Sequence, residues 1–491
     1  MKIAELKRRK WNKIQNIWRM IAVYTSVIAI GVAIGKFLVT QEVPMKPLLV
    51  GIGALLGLLL LSRDLSIKIL SLQRTLLYFT IIAGFIGPAV LTIPIGPIHL
   101  FPYRILLPLL WLLFAILFNR GRIGISHIKV KPYLQFLILW LLYAVLSSAW
   151  AASKNDAIRD IIFLFMGVSI IFFVVYYFSI LKHLKWFYHL WLLVFTALVP
   201  IGIWETITGQ HLSVSGLAQT THPVARFMPS TVFRNPNDYA TYLVLSLPFV
   251  LTFIRYRNRL LERLLGLLIL IAGLYLLVAT SSRASYLAAL IGVAFWFFLL
   301  LELRSKIKVV ILSALVVTLS FALFPVQIQR VFQTVNIQLG SIITQAQEEV
   351  GSIGVRINLI KNGLFFLWNT AGFGVGAGNV EYYMAHYSRY ETRGILNLHN
   401  WWLENLANYG VFIFAGYVVF YLGLFLGLLK AYRKIADFRE KMICEALLVG
   451  LVTFFFASVS SSSIMALRPQ WFFFAFALAF LNHWKLQQAR R

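Results

Sequence analysis

The segment LHNWWLENLANYG, residues 398 to 410, gathers His399, Asn400, Glu404 and Asn408 where a long apolar run begins. A neutral imidazole is well matched to taking a proton from a hydroxyl near neutral pH, so His399 is a candidate general base. A hydrogen bond from its ring to a loop carbonyl is the plainer role. Asn400, Glu404 and Asn408 recur at i, i+4 and i+8, on one side of a helix entering an apolar environment. Such a polar stripe has to face protein or a watery cavity. Trp401 and Trp402 fit an interfacial aromatic belt or, in a sharper reading, surfaces on which a sugar stacks.

Arg226, Arg234, Arg283 and Arg356 stand in or beside polar connections, Arg283 within the tight SSRAS turn at 281 to 285. One such arginine alone reads as a rim residue whose charge reaches water. Several together point to a site for a phosphorylated lipid, because planar guanidinium donors match phosphate oxygens two at a time. GFGVGAGN, 372 to 379, lacks the GKS or GKT ending of a nucleotide-binding loop. Its glycines suit tight turns and close backbone approach, with amides holding an anionic group as the functional variant. No metal site is expected: HExxH is absent and the nine histidines do not cluster. The single cysteine, Cys444, excludes an internal disulfide framework.

The elements that must position these groups are membrane helices. Apolar residues make up 60% of the chain, charged residues 13%, and the mean hydropathy is +0.80. That composition is polytopic. Apolar runs lie near 20–39, 47–61, 75–93, 103–118, 133–149, 158–178, 187–204, 239–254, 264–280, 284–301, 309–324, 406–429, 443–460 and 469–484. Some are short for a perpendicular helix, so twelve to fourteen spans are expected, in an all-α fold. The net charge of +28 follows topology: SRDLSIKILSLQR, NRGRIGISHIKVK, RYRNRLLER, ELRSKIK, KAYRKIADFREK and the KLQQARR tail are basic, and the alternate connections are not. Both termini are therefore expected in the cytoplasm, and nucleic acid is not an expected partner. KRRK, 7 to 10, reads as the flank of a retained first span.

The chain reads as one integral membrane domain, 1–491, with two long external connections, 205–238 and 325–405, and function is expected on them. In the second, VGSIGVRINLIKNGLFFLWN carries Ile357, Ile360, Leu364 and Leu367 at helical spacing, which predicts an amphipathic or interfacial helix with Arg356 near its start. None of the 17 acidic residues lies near the middle of a predicted span; Glu302, Glu445, Glu205 and Asp238 are all at edges. This weighs against a transporter or lipid-linked-glycan flippase, which usually keeps an ionisable site at mid-depth.

Four segments in order, ARFMPSTVFRNPNDYATYL (225–243), SSRAS, VRINLIKNGLFFLWNTAGFGVGAGN (355–379) and HNWWLENLANYG, give the chain its kinship. It resembles the bacterial O-antigen ligase and polymerase superfamily, over about residues 200 to 430 in motif terms. The resemblance implies a metal- and cofactor-independent membrane glycosyltransferase. Its donor would be a polyprenyl-diphosphate-linked glycan and its acceptor a second glycan at the outer face of the plasma membrane, with a flippase and a chain-length regulator as possible partners. It also implies roles by position: His399 as base, Arg283 and Arg226 on the diphosphate, and Arg356 beside them; Arg234, Asn237, Trp401, Trp402, Glu404 and Asn400 are the further candidate substrate contacts. Relatives often have a glycine-rich approach to the asparagine-proline-asparagine motif. Here it reads MPSTVFR, which adds Arg234 and leaves its share with Arg226 open. A polymerase is favoured over a ligase.

Overall fold

The structure, a computed structural model, describes residues 65–89, 92–95, 98–119, 123–323, 352–459, 461 and 464–490, with 329 and 333. KRRK, the first two apolar runs and most of 325–351 lie outside the described residues. The chain forms α1 (Leu65–Ile86), an antiparallel hairpin of β1 (Ile93–Ile95) and β2 (Ile98–Leu100), α2 (Pro102–Asn119), α3 (Lys131–Ser147), α4 (Lys154–Tyr177) and α5 (Leu181–Thr208). There follow α6 (Pro236–Tyr256), α7 (Leu260–Ala279), α8 (Arg283–Phe295) with a π-helical continuation Trp296–Leu300, and α9 (Leu303–Leu323). After the segment outside the description come α10 (Ser352–Asn369), α11 (Val380–Tyr387), α12 (Trp401–Lys434), α13 (Phe438–Ala457) and α14 (Arg468–Gln488). Each predicted apolar run from residue 75 onward overlaps one helix.

Seven of the described helices are long and apolar enough to cross a membrane: α2, α4, α5, α6, α7, α8 with its continuation, and α12. The protein is an all-α polytopic membrane protein, with one small hairpin among the described residues. It divides into two compact units, Met1–Thr80 with Leu91–Gly124, and Ile81–Val90 with Ile125–Arg491. In the first, α2 buries Tyr103, Leu107, Leu110, Phe114 and Leu117 at helical spacing. The candidate residues all fall in the second.

In that second unit α14 is apolar all round from Trp471 to Leu481 and buried all round, the pattern of a central helix. By contrast α7 leaves Leu260, Leu264 and Leu268 exposed, as lipid-facing side chains should be. Helix starts follow from local chemistry. Asn235 caps α6 by accepting from the Asp238 amide at 2.9 Å, with Pro236 in the first turn. Asn400 caps α12 by accepting from the Trp402 and Leu403 amides at 3.1 and 3.2 Å.

α13 sets the register that matters. Its Thr453 hydroxyl donates to the Val244 carbonyl of α6 at 3.2 Å, and its Glu445 takes Arg255 of α6 at 2.5 Å. As α6 advances, its partner on α13 falls back, so the two are antiparallel. The same holds for α8: Gly292 packs against the Thr453 methyl, and the Trp296 indole donates to Glu445 at 2.6 Å. The N-terminal ends of α6 and α8 therefore stand at the C-terminal end of α13. Asp238, bonded by Ser461, confirms this for α6. At the far end the fully buried Glu445 collects Arg255, Tyr256, Trp296 and Tyr432, a satisfied charge that ties four elements together.

Candidate active site

His399 is placed by its backbone first. Its φ of +49° lies in the left-handed region, a conformation costing about 1–2 kcal/mol in a side-chain-bearing residue. Asn397 holds it there: its Oδ1 accepts the His399 amide at 2.8 Å, and its Nδ2 donates to Glu381 Oε1 at 2.8 Å. Immediately after the turn, the Trp401 amide donates to the Ser458 carbonyl at 2.9 Å, and the Trp402 indole to the Ser458 hydroxyl at 3.0 Å. His399 is thereby fixed to the C-terminal end of α13, the end that also receives the starts of α6 and α8.

The glycine-rich segment serves this placement. α12 breaks at Gly410, with φ 74° and ψ −179°, leaving backbone groups on either side unpaired within the helix. Val375 and Gly376 amides donate to the Ala407 and Asn408 carbonyls at 2.9 and 3.0 Å, and the Val411 amide donates to the Gly372 carbonyl at 2.9 Å. On its other side the loop meets α3 and the residues after it: Ser147 accepts from the Ala377 amide at 3.0 Å, and the Trp150 indole donates to the Gly374 carbonyl at 3.0 Å. The variant in which these amides cradle an anion is corrected, because the amides of residues 372–377, 379 and 380 already donate within the protein. Close approach is what the glycines provide. A Cβ on Gly374, whose φ is +82°, would lie 2.6 Å from the Asn408 carbonyl oxygen. Gly374→Val is expected to destabilise the protein by about 3 kcal/mol, combining strain and overpacking, and to lower its thermal midpoint in detergent.

The polar stripe faces protein, as expected. Asn400 caps α12, and the Asn408 side chain accepts the Val380 amide at 3.0 Å. Glu404 lies within electrostatic reach of Asp160 and Glu381, and its Oε2 is buried without a hydrogen bond among the described residues. Asp160, in turn, accepts from the Tyr409 hydroxyl. Among the described residues no three acidic, histidine or cysteine side chains converge as metal ligands. Trp401 is buried, its ring against Trp140 and Tyr417 and its indole donating to the Tyr417 hydroxyl at 2.9 Å. Packing, and not sugar stacking, occupies it. Trp402 is partly buried beside Phe455.

Arg283 begins α8 directly after the buried Ser282, which bonds the Ser285 hydroxyl at 3.0 Å, and Ser281 before it has a φ of +57°. Arg356 lies in the first turns of α10, which packs Val355, Leu359 and Phe366 into a small core with Leu398 and Leu403. Its side chain retains exposed surface, yet protein crowding around the guanidinium, and secondly the charge of Arg283, hold its pKa below the ordinary arginine range. The two cations are thus near enough to repel one another.

Arg234 is exposed just ahead of the α6 cap, and its charge, with that of Arg468, reaches the buried Asp238. Asn237 is partly buried in the first turn, its carbonyl accepting from Thr241 at 3.0 Å. Arg226 sits on a short 3-10 turn, 4.7 Å over the Phe227 ring and against Gly209. Its loop is pinned by Glu205, which accepts the Ser230 and Thr231 amides at 2.7 Å each and faces His211 at 3.4 Å. The charge of Arg283 reaches Arg356, and Arg226 stands on its own loop at the end of α5.

The spaced apolar residues of α10 face outward, one of the forms expected of this helix: Ile357, Ile360 and Leu364 are 47, 40 and 47% exposed. The helix has two apolar sides, and the outward one suits an interfacial position. Asn397 and Glu381 were not singled out, although an asparagine two residues before the histidine is the local signal of a side-chain-to-backbone turn.

Fold and site together define an integral membrane protein with a histidine and arginines gathered at one end of its helical unit. Residues 267–421, which include Arg283, Arg356, the glycine-rich segment and His399, match the family model described as O-Antigen ligase. The chain is also 34% identical over 414 residues to "Teichuronic acid biosynthesis protein TuaE" of Bacillus subtilis (strain 168), with 84% of each chain covered. The chain belongs to the O-antigen ligase family.

Proposed function

We propose that this protein is a glycosyltransferase of cell-surface polysaccharide synthesis that polymerises polyprenyl-diphosphate-linked repeat units at the outer face of the bacterial plasma membrane. The relative named for teichuronic acid biosynthesis supports a polysaccharide product. The observation that carries the reading is that the start of α8, which bears Arg283, and the turn that bears His399 both stand at the C-terminal end of α13. A guanidinium at that end offers paired donors to the oxygens of a diphosphate. In this orientation the site is external and both termini are cytoplasmic.

His399 takes the proton of an acceptor hydroxyl as that oxygen bonds to the anomeric carbon of the donor. The bond from that carbon to the diphosphate oxygen breaks, and the lipid diphosphate leaves with the electron pair. Arg283, Arg356 and Arg226 stabilise its growing charge. Diphosphate is already a good leaving group, so the proposal uses neither a metal nor a protonated carboxylic acid. A single displacement inverts the anomeric centre.

The family description favours a second reading, transfer of a finished glycan to a different acceptor. Purified protein given one lipid-diphosphate repeat unit separates the two. A ladder of lengthening glycan with released lipid diphosphate, in the presence of chelator, is the expected result. No extension until a different acceptor is added establishes the ligase, and extension that stops with chelator overturns metal independence.

A further inference from the structure

We infer that Glu205 and His211 form a proton-sensitive clasp that positions Arg226, holding the loop between α5 and α6 most firmly when the imidazole is charged. The inference rests on the reading that Arg226 meets the leaving diphosphate. It adds the residues that hold this arginine and the condition under which they hold it.

The clasp starts from a buried carboxylate at the end of α5. Glu205 is fully buried, and its Oε2 accepts the Ser230 and Thr231 amides at 2.7 Å each. Its Oε1 has no hydrogen bond among the described residues and faces His211 Nδ1 at 3.4 Å. The other ring nitrogen, Nε2, lies 2.9 Å from the Arg226 carbonyl oxygen, and the imidazole is only 1% exposed. Both nitrogens of a buried ring thus face oxygen acceptors. A neutral imidazole carries one N–H and serves one of them, whereas the imidazolium serves both. The neutral ring has a fallback: the Ser230 hydroxyl, 3.4 Å from Nδ1, donates to it, backed by the Ser215 hydroxyl 2.7 Å away. That state keeps the bond to Arg226 but anchors the ring to a hydroxyl, and Glu205 Oε1 receives nothing.

The backbone around the clasp is held in a strained form. Thr231, buried and β-branched, has a φ of +49°, and its amide turns toward the same carboxylate oxygen as that of Ser230. Such a conformation persists only where the surroundings over-determine it. The charged and titratable groups around the clasp are Arg226 and His222 on one turn, Arg234, and Tyr239 of α6. Arg226 packs over Phe227 and against Gly209; the Arg234 carbonyl accepts the Gly216 amide at 2.7 Å, and Tyr239 lies within electrostatic reach of Glu205. His222 works in the opposite sense, since its Nδ1 accepts the Val224 and Ala225 amides at 3.3 and 3.1 Å and a proton there would break both bonds. Protonating His211 adds an N–H aimed at a carboxylate, so its contribution is present at low pH and lost as pH rises.

The test titrates full-length protein in detergent with farnesyl diphosphate, a small lipid diphosphate, at about pH 6 and about pH 8. The readout is the ratio of the two affinities in wild type against that in Glu205→Gln, because the charges of the probe and of His222 change alike in both. Glutamine keeps an oxygen for the two amides and offers an N–H to Nδ1 of a neutral ring. Glu205→Gln should therefore still bind, with a gain on acidification about fivefold smaller than that of wild type. His211→Gln should lose the same gain, and His211→Leu should weaken binding about tenfold at both pH values. An undiminished gain in Glu205→Gln, or wild-type affinity in His211→Leu, overturns the clasp. Hydrogen exchange over residues 225–231 without probe reads the hold directly, each variant against wild type at the same pH. His211→Leu should exchange faster, and wild type should be better protected than Glu205→Gln at the lower pH alone. Equal exchange in all three overturns the clasp as well. Arg226→Ala keeps the functional reading apart: undiminished probe binding by that variant removes Arg226 from the diphosphate, while the exchange pattern still establishes the clasp.

Discussion

His399→Ala is expected to lower glycan extension by about 10²–10⁴-fold while the lipid-diphosphate donor still binds, because a positioned general base contributes on that order. Alanine removes the imidazole but also leaves a residue with Cβ at φ +49°, so strain and chemistry would fall together. His399→Asn separates them. Asparagine tolerates the left-handed region and keeps the amide that Asn397 accepts, yet it cannot take a proton. Loss of extension in both variants, with an acid limb of the wild-type pH–rate profile missing from their residual rates, identifies the base. Normal extension by His399→Asn would sink it. Asn397→Ala should act differently, since it frees the turn and spares the imidazole: extension falls, and the acid limb stays.

The difference between those variants reflects what could be read from the sequence. The helices were legible because long apolar runs bounded by charge admit few structures in a bilayer. Arg283 and Arg356 were legible as cations on the side where the charge rule expects few. Their placement was not, since α8 is set by lying antiparallel to α13 and α10 by packing Val355, Leu359 and Phe366 against Leu398 and Leu403. Two faces of α10 are apolar, so spacing alone could not tell that Val355, Leu359 and Phe366 pack while Ile357 and Ile360 stay outside. The break at Gly410 was equally hidden, because a lone glycine in an apolar run is often carried within a continuous helix. Its cause lies in the distant segment 372–376, whose backbone fills the gap. Pairing of that kind leaves no local pattern.

Arg283→Ala is expected to reduce turnover by about 10²–10³-fold, the loss that follows removal of one donor aimed at developing charge. Arg283→Lys should fall between, since it restores the cation and lacks the two-pronged fork. The pairing with Arg356 makes a sharper test. Crowding, and secondly the charge of Arg283, lower the pKa of Arg356, so the two charges act on one another. Adding donor stabilises wild type by mass action, and that shift should shrink in Arg283→Ala and in Arg356→Ala. If both arginines hold one diphosphate, the double variant loses less than the two single losses combined, because neither can bind productively alone. Additive losses would place them on different groups. A donor-induced shift and a turnover that survive in Arg283→Ala would remove the diphosphate from this end of the bundle and leave His399 without the leaving group it requires.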